Sequence, residues 1–384
     1  MRSPGLMTTA VVGLLLAAAC GPPAPIHIGG LIPESGAAAV YGRPIKRGIE
    51  LAIDEINEAG GVLGGRRIEF ECHDTATNGD VAEAAAHELL EKGVPAVIGP
   101  ATSSVALRLV PIFNEHETIL LSPAASSPTL TKEGGDWFFR VYPSDIGEGY
   151  RMATFCRDMV LSRVAVVAVK DSFGQGVADV FAEHYKAPTR RIVYRADFEG
   201  SLDEASARRI ARELAKSRAE AVYIAAYVDD MAALLRAIEK EKVKIARLAT
   251  SAVTRDLIEA AETAAEGLVF PQTGFDPGAK DPAVQRFVEA YRNRYGEDPD
   301  TFAAHGYDAA KVLAAAIEAA KLPAPTQIRS ALLNIEYQGV SGRIDFDLNG
   351  DVIQQPKLYA VYNGEIVPYE KFREAELGRS ILAR

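Results

Sequence analysis

The sequence predicts an α/β fold in which two doubly wound parallel sheets form two separate lobes. Three observations lead to this prediction. The chain has 384 residues, which is longer than one typical domain. Apolar residues make up 48% of it, enough to fill two cores. Short β-branched runs alternate with amphipathic helical stretches, and this alternation stops and then starts again, as expected for two parallel sheets covered by helices.

Residues 1–20 have the layout of a secretory signal peptide. The apolar run at 10–16 is too short to span a bilayer, and three alanines and Cys20 follow it. Small residues before a cysteine resemble a bacterial lipobox, in which the thiol carries lipid and becomes the mature N-terminus. The alternative is an ordinary signal peptide with an incidental cysteine. We expect a lipoprotein signal peptide with lipid attached at Cys20, followed by a tether at 21–25 that is rich in glycine and proline.

The first alternation of strands and helices follows this tether. Apolar periodicity predicts strands at 26–32, 68–72, 94–98 and 118–121, and helices at 45–56, 81–90 and 103–114. Since each predicted strand is separated from the next by a helix, the strands are expected to run parallel in one sheet.

The second alternation predicts a second sheet of the same kind. Its strands are expected at 163–169, 192–194, 221–225 and 246–249, and its helices at 174–185, 203–217 and 229–240. The last third of the chain differs, with helices predicted at 283–295, 303–321 and 328–333 and strands at 344–347 and 357–362. Asn363-Gly364 after the final strand is typical of a tight hairpin turn.

Composition and motifs exclude several classes of function. The net charge of −10 argues against a nucleic-acid partner. The sequence has no phosphate-binding loop, no dinucleotide fingerprint, no nucleophile elbow and no zinc-ligand spacing. We therefore expect a protein that is not an enzyme and uses no cofactor or metal. Cys72 and Cys156 could bridge in an exported protein or remain two separate thiols. The alternation of Asp347, Asn349 and Asp351 around a glycine predicts a β-turn better than a calcium loop.

Segments that follow strands are the candidate site, because ligands of open α/β sheets bind beyond the carboxyl ends of the strands. The segments 99–104 and 122–128 offer hydroxyls and free amides that favour a carboxylate, although Ser and Thr there could simply cap helices. Tyr41, Phe173 and Tyr227 follow other strands. They could wall a pocket or belong to the core.

Several short motifs resemble the branched-chain amino-acid (leucine/isoleucine/valine) binding protein family, the type I periplasmic solute-binding proteins of ABC importers. The resemblance covers nearly everything from Ile26 to about Tyr369 and is carried by motifs at 35–42, 56–65, 98–104, 122–126, 171–176, 306–309 and 339–347. It implies three crossings between the lobes, near Tyr142, Pro271 and Gly342. The implied first lobe is 26–141 plus 272–341, and the implied second lobe is 142–271 plus 342–384.

The resemblance also implies which residues bind the ligand. Ser103 with Ser104, Ala124 and Ser126 match first-lobe groups that hold a ligand carboxylate, and Tyr41 matches the aromatic residue that covers it. On the second lobe, the matching residues are Phe173 and Tyr227.

One departure from the family concerns the ligand's ammonium group. Amino-acid binders in this family present an acidic residue after the fourth strand of the second lobe, whereas residues 250–254 here contain no Asp or Glu. A buried ammonium without a carboxylate would lose about 1.5–3 kcal/mol. Asp229 or Asp230, beside Tyr227, could replace that acid. Otherwise the ligand is a carboxylate, an aromatic acid or a small amide.

The function implied by the resemblance is capture of a small polar solute by hinge closure. The protein is expected outside the cytoplasm, at the periplasmic or cell-surface face, as a lipoprotein held in a membrane by its N-terminal lipid. Its implied partner is an ABC permease in the inner membrane. One alternative is a ligand-sensing binding protein that presents the solute to a membrane receptor. Two others are an enzyme on this fold and a scaffold with an inactive cleft.

Overall fold

The computed structural model describes residues 23–382. The predicted signal peptide and Cys20, the predicted site of lipid attachment, lie outside the described residues. Within 23–382, no helix is both long enough and apolar enough to span a bilayer.

The first lobe is built on a sheet of five parallel strands in the order β2-β1-β3-β4-β5. Its elements, in chain order, are β1 (Ile26–Ile32), α1 (Ala39–Glu58), β2 (Ile68–Asp74), α2 (Gly79–Glu91), β3 (Ala96–Ile98), α3 (Ser103–Glu115), β4 (Ile119–Ser122), α4 (Pro128–Glu133) and β5 (Phe138–Arg140). Strands β3 and β4 are buried along their whole length, as expected for central strands with helices on both faces.

The second lobe is built on a seven-stranded sheet. Its first elements are α5 (Asp145–Asp158), β6 (Arg163–Val169), α6 (Ser172–Tyr185), β7 (Arg191–Phe198), α7 (Glu204–Ser217), β8 (Ala221–Ala225), α8 (Val228–Lys240), β9 (Ala246–Ala249), α9 (Arg255–Ala261), a 3₁₀ turn (Glu262–Ala265) and β10 (Val269–Gln272). The remaining elements of the chain are α10 (Pro282–Tyr295), α11 (Thr301–Ala320), α12 (Pro325–Leu332), β11 (Glu336–Gly339), β12 (Gly342–Asp345), β13 (Lys357–Tyr362), β14 (Glu365–Pro368) and α13 (Tyr369–Leu382).

The two sheets share one topology. The second has the order β14-β13-β10-β9-β8-β6-β7, in which β6 to β10 run parallel and the hairpin β13–β14 joins antiparallel at one edge. Read in chain order, both parallel parts follow the doubly wound order 2-1-3-4-5. The predicted α/β class with two doubly wound lobes is therefore confirmed, and so is the terminal hairpin.

The chain passes between the two sheets three times: after β5, after β10, and between β12 and β13. The last helices return to the first lobe, where α11 packs closely along α1. A Cβ atom built on Gly48 would lie 2.1 Å from the carbonyl oxygen of Ala303, and one built on Gly306 would lie 2.3 Å from that of Ile45. Only glycine allows these two backbones to approach so closely.

Two minor predictions can be compared with the structure. Cys72 and Cys156 are both free thiols, Cys156 buried and Cys72 partly so, and burial raises the pKa of each to about 12. Asp347 accepts the backbone N–H of Asn349 at 2.8 Å and that of Asp351 at 2.9 Å, which is the geometry of a turn. Among the residues described, no cluster of His, Cys, Asp and Glu could hold a metal ion.

Candidate functional site

A cavity of about 430 Å³, including its open mouth, lies between the carboxyl edges of the two sheets. Its walls come from segments that follow β3, β4 and β5 in the first sheet and β6, β8 and β9 in the second, with one residue each from α1 and α11. The points where strand order reverses, between β1 and β3 and between β6 and β8, therefore face each other across the cavity. Such switch points are where doubly wound sheets bind ligands.

A hydroxyl wall lines the cavity on the first-lobe side. Ser103, the first residue of α3, accepts the backbone N–H of Ser126 at 3.2 Å and that of Ser127 at 3.0 Å. Its own hydroxyl proton has no acceptor among the described residues, so it is free to donate to a ligand. Thr102 lines the cavity beside it and makes no side-chain cap to α3, which leaves the first amides of that helix open to an anionic group.

A buried arginine holds this wall from behind. The Arg140 guanidinium donates to the carbonyl of Ala125 at 3.3 Å and to that of Ser127 at 3.0 Å. It is fully buried and forms a bidentate pair with Asp351, at 2.6 Å from Nε to Oδ1 and 2.8 Å from Nη2 to Oδ2. Because Asp351 lies on the third passage between the sheets, this pair ties the segment after β4 to that passage.

Aromatic rings form the next part of the cavity. Tyr41 of α1 lies 4.8 Å from Phe302 and 6.2 Å from Tyr227, measured between ring centroids, and Tyr227 stacks on Phe173 at 5.6 Å. The Tyr41 hydroxyl donates to the carbonyl of Ala252 at 3.1 Å. Since Tyr41 belongs to the first lobe and Ala252 follows β9 of the second, this bond joins the lobes across the cavity.

Tyr227 is fixed by an acid at the start of α6. Its hydroxyl donates to Asp171 Oδ2 at 2.7 Å, while Asp171 Oδ1 accepts the backbone N–H of Phe173 and that of Gly174. The Asp171 carboxylate therefore accepts three hydrogen bonds. It caps the N-terminus of α6 and also holds the Tyr227 ring in place.

The floor of the cavity rests on two buried acids of α5. Asp145 Oδ2 accepts the Ser126 hydroxyl at 2.9 Å, and Glu148 Oε1 accepts the backbone N–H of Ser251 at 3.1 Å and the Tyr223 hydroxyl at 3.4 Å. Burial raises the pKa of Asp145 to about 7. Burial, together with the charge of the nearby Asp145, also raises the pKa of Glu148 well above its usual range. Near neutral pH the two carboxyls therefore do not both ionise freely.

Several polar atoms around this floor are unsatisfied. Among the described residues, the Tyr142 hydroxyl, Asp145 Oδ1, Thr250 Oγ1 and His305 Nδ1 are buried without a hydrogen-bond partner. Tyr142 lines the cavity, and its ring lies 4.7 Å from that of His305. Burial lowers the pKa of His305 to about 3, so this imidazole is neutral at physiological pH.

Six of the eight residues predicted to bind a ligand line the cavity: Tyr41, Ser103, Ala124, Ser126, Phe173 and Tyr227. That they contact a ligand stays a prediction. The other two lie elsewhere. Ser104 is exposed on the outer side of α3, and Asp230 is buried in α8, where it accepts the backbone N–H of Leu202 at 2.7 Å. We therefore remove Ser104 and Asp230 from the candidate set.

Other lining residues were not anticipated from the sequence. They are Ala101, Thr102, Tyr142, Ser251, Ala252 and Phe302, and the buried acids Asp145 and Glu148 lie behind them. Ala101, Thr102, Ser251 and Ala252 stand in post-strand segments that were already of interest. Phe302 comes from α11, far along the chain, and no local pattern indicates that it reaches the cavity.

Comparisons with known proteins extend over both lobes. A family model described as periplasmic binding protein matches residues 25–364. The Leu/Ile/Val-binding protein BraC3 of Rhizobium johnstonii is 27% identical over 353 residues, which cover 90% of this chain and 94% of that protein.

Two solved structures have the same architecture. The leucine binding protein LivK from Thermotoga maritima superposes with a TM-score of 0.81 at 29% identity, covering 89% of this chain and 97% of that one. The branched-chain amino acid transporter substrate binding protein LivJ from Streptococcus pneumoniae, solved in complex with isoleucine, gives a TM-score of 0.81 at 26% identity with the same coverage.

Proposed function

The chain belongs to the periplasmic binding protein family, and from that premise we propose that it captures a small polar solute outside the cytoplasm for an ABC importer. Similar proteins are substrate-binding components for branched-chain amino acids. The proposed solute is an amino acid or a related carboxylate or amide. The protein releases it unchanged to a permease and does not act as an enzyme.

The observation that carries this proposal is the composition of the cavity. One wall offers a free hydroxyl proton at Ser103 beside the open start of α3, which suits a carboxylate. The rest is formed by aromatic rings, including Tyr41 and Tyr227, which suit an apolar side chain. A polar end and an apolar body are what a small amino acid or carboxylate presents.

Hinge closure is the proposed mechanism. The bond from Tyr41 to Ala252 and the close approach of Gly176 to Ser127 are contacts that exist only when the lobes are together. We propose that the three passages between the sheets are the hinge, and that the lobes divide at the boundaries expected from the sequence. A solute that touches both walls binds the closed state more tightly and so shifts the population toward it.

Membrane anchoring through a lipid on Cys20 completes the proposal. The tether would keep the binding lobes near the permease, which would receive the closed form. Metabolic labelling of cells with a radioactive fatty acid tests this part: the protein should carry the label, and the Cys20→Ala variant should not. Label on the variant, or none on the wild type, would contradict lipid attachment at this residue.

A thermal-shift screen tests the binding function. We would unfold the purified protein in the presence of amino acids, aliphatic and aromatic carboxylates, and amides. A ligand at about 100 times its dissociation constant adds about 2.7 kcal/mol to the free energy of unfolding, which raises the melting temperature by a few degrees. If no compound in any class shifts the melting temperature, the cavity is not a solute site of this kind.

Ser103 and Ser104 provide a matched pair of variants for the same screen. Ser103→Ala should weaken binding of the best compound about tenfold or more, because it removes a hydrogen bond to a charged group. Ser104→Ala should leave the affinity unchanged, because that side chain is exposed outside the cavity. Equal effects of the two substitutions would count against a carboxylate at this wall.

A further inference from the structure

We propose that Asp145 and Glu148 supply the negative charge opposite an ammonium group of the solute, so that the cleft selects zwitterionic amino acids over carboxylates that lack an amino group. This inference rests on the proposed function and names the ligand class of the same site. Four features of the structure lead to it.

The first feature is a set of buried polar atoms that await a partner. Tyr142, Asp145 and Thr250 each have one such atom within the part of the chain that the structure describes. All three belong to one side of the cavity: Tyr142 lines it, Asp145 is bonded to the lining residue Ser126, and Thr250 precedes the lining residue Ser251. Buried polar groups are nearly always satisfied, and a ligand's N–H donors would satisfy oxygens at this place.

The second feature is a pair of buried acids that lack a cationic partner. Asp145 and Glu148 are both buried, and the positive charge that acts on Asp145 is that of Arg140. That guanidinium is already in a bidentate pair with Asp351, and it also donates to the carbonyl groups of Ala125 and Ser127 and to the Thr131 hydroxyl. Within residues 23–382, neither acid forms an ion pair with a cationic side chain, and a bound ammonium would provide such a partner.

The third feature is the position of Glu148. Residues 250–254, which follow β9 and line the second-lobe side of the cavity at Ser251 and Ala252, contain no acid. Glu148 reaches the same place from a different element, because its Oε1 accepts the backbone N–H of Ser251 at 3.1 Å. A carboxyl group thus lies beside this segment although the segment contains none.

The fourth feature is the adjacency of the two polar walls. The carboxylate and ammonium of an α-amino acid are attached to one carbon, so their binding groups must be neighbours. Ser126 joins them: its backbone N–H donates to Ser103 Oγ on the carboxylate wall, and its hydroxyl donates to Asp145 on the acidic floor.

Other acids near the cavity are poorer candidates. Asp171 already accepts three donors, from Tyr227, Phe173 and Gly174. The side chain of Asp229 is exposed, and that of Asp230 is bonded to the backbone of Leu202.

Calorimetric titration with matched pairs of solutes tests the inference. The probes are L-leucine and 4-methylpentanoate, L-phenylalanine and 3-phenylpropanoate, and L-alanine and propanoate, at about pH 8, where the acids are more fully ionised. The wild type should bind at least one amino acid about 10- to 100-fold more tightly than its partner without the amino group. Glu148→Gln and Asp145→Asn should each remove most of that preference, whereas the control Asp230→Asn should keep it.

The outcomes separate this inference from the proposed function. If the wild type binds a carboxylate as tightly as the matching amino acid, or if both variants keep the preference, the inference is wrong and solute binding still stands. If none of the six probes binds, the inference fails, and the thermal-shift screen over all compound classes decides whether the proposed function fails as well.

A measurement on the wild type alone covers the case in which the variants do not fold. Groups that face the acids are Arg140 of β5, Asp171 before α6, Tyr142 after β5, Tyr223 of β8 and Tyr227 before α8, and burial raises the pKa of all three tyrosines well above its usual value. Binding an ammonium there should displace a proton from the pair. Titrations near pH 7 in two buffers of different ionisation enthalpy should show proton release with the amino acid and none with its deamino partner. Equal proton release with both would overturn the inference.

Discussion

Ser103 and Ser104 are neighbours in the chain, yet only Ser103 reaches the cavity. Ser103 begins α3 and accepts two amides of the loop after β4, whereas Ser104 points to solvent. The sequence indicated that hydroxyls after β3 belong to the site. It could not indicate which one, because that depends on the residue at which the helix begins, and helix boundaries are uncertain by a residue or two.

The buried acid Asp145 should make the stability of the ligand-free protein depend on pH. Burial raises its pKa from 3.8 to about 7. Between these values the folded state holds a proton that the unfolded state has lost, so the free energy of unfolding should fall as pH rises through this window, by at most about 4 kcal/mol. Asp145→Asn should therefore unfold with a shallower pH dependence and match or exceed the wild type in stability above pH 7.

Urea unfolding of both proteins between about pH 4 and pH 8 measures this effect. Asp300 and Asp308 also have pKa values raised to about 6 by burial, and they contribute in the same direction. Both residues are present in the wild type and in the variant, so their contribution cancels in the difference. The contribution of Glu148 does not cancel, because the Asp145 charge raises its pKa, so the difference reports on the coupled pair. Parallel curves for the two proteins would show that Asp145 is not a titrating group of this kind.

The pair of Arg140 and Asp351 should be essential for stability. Asp351→Ala would leave a fully buried guanidinium without its carboxylate, which costs about 3–5 kcal/mol. Urea unfolding should show a loss of that size. The matched control is Glu213→Ala, which breaks the exposed pair with Lys216 and should cost less than about 1 kcal/mol. A small loss at Asp351 would mean that water or another group satisfies Arg140.

At the scale of elements, most strands and helices could be predicted because they alternate with clear periodicity. The strand β6 was predicted with the observed bounds, and β8, β9 and β13 likewise. The elements β5, α5 and β10 were missed. Strand β5 has three residues, and β10 contains Pro271, which argues against a central strand although it lies between β9 and β13 here. Because β5 and α5 were not predicted, Asp145 and Glu148 were not identified as candidates: both lie in α5, the helix that follows β5.

The contact between α1 and α11 should depend on its glycines. In Gly48→Ala the new Cβ would lie 2.1 Å from the carbonyl oxygen of Ala303, so the helices would have to separate. We expect a loss of about 1–3 kcal/mol in the free energy of unfolding, larger than any gain in helix propensity. The control is Gly79→Ala at the first residue of α2. There the nearest atom to the new Cβ lies 3.4 Å away on the flexible side chain of Arg108, so the free energy of unfolding should change by about 0.5 kcal/mol or less. Similar values for the two variants would contradict the close packing of these helices.

At the scale of the whole molecule, the cavity follows from repetition of one topology. Each lobe has its switch point at the carboxyl edge of its sheet, and the three passages bring these edges face to face. The sequence predicted the two sheets and the post-strand segments. It could not predict which aromatic rings meet across the cleft, such as Tyr41 with Tyr227, because those contacts exist only between lobes and leave no pattern along the chain.

A side chain placed between the lobes should hold the cleft open. A Cβ atom built on Gly176 of α6 would lie 2.9 Å from Pro128 Cδ and 3.0 Å from Ser127 Oγ, both in the first lobe. Gly176→Val should therefore weaken solute binding by about tenfold or more, since the closed state becomes less favourable. Its unfolding without solute should be nearly unchanged, because neither core is altered. The substitution Gly79→Val on the outer surface should leave the affinity as in the wild type, and an unchanged affinity for Gly176→Val would argue against closure at this contact.

Small-angle X-ray scattering tests closure around a solute most directly. The protein would be measured without solute and with a saturating amount of the compound that gives the largest thermal shift. We predict that the solute lowers the radius of gyration, and that the curve calculated from the closed structure fits the liganded protein better than the free one. Identical scattering curves with and without saturating solute would contradict capture by hinge closure.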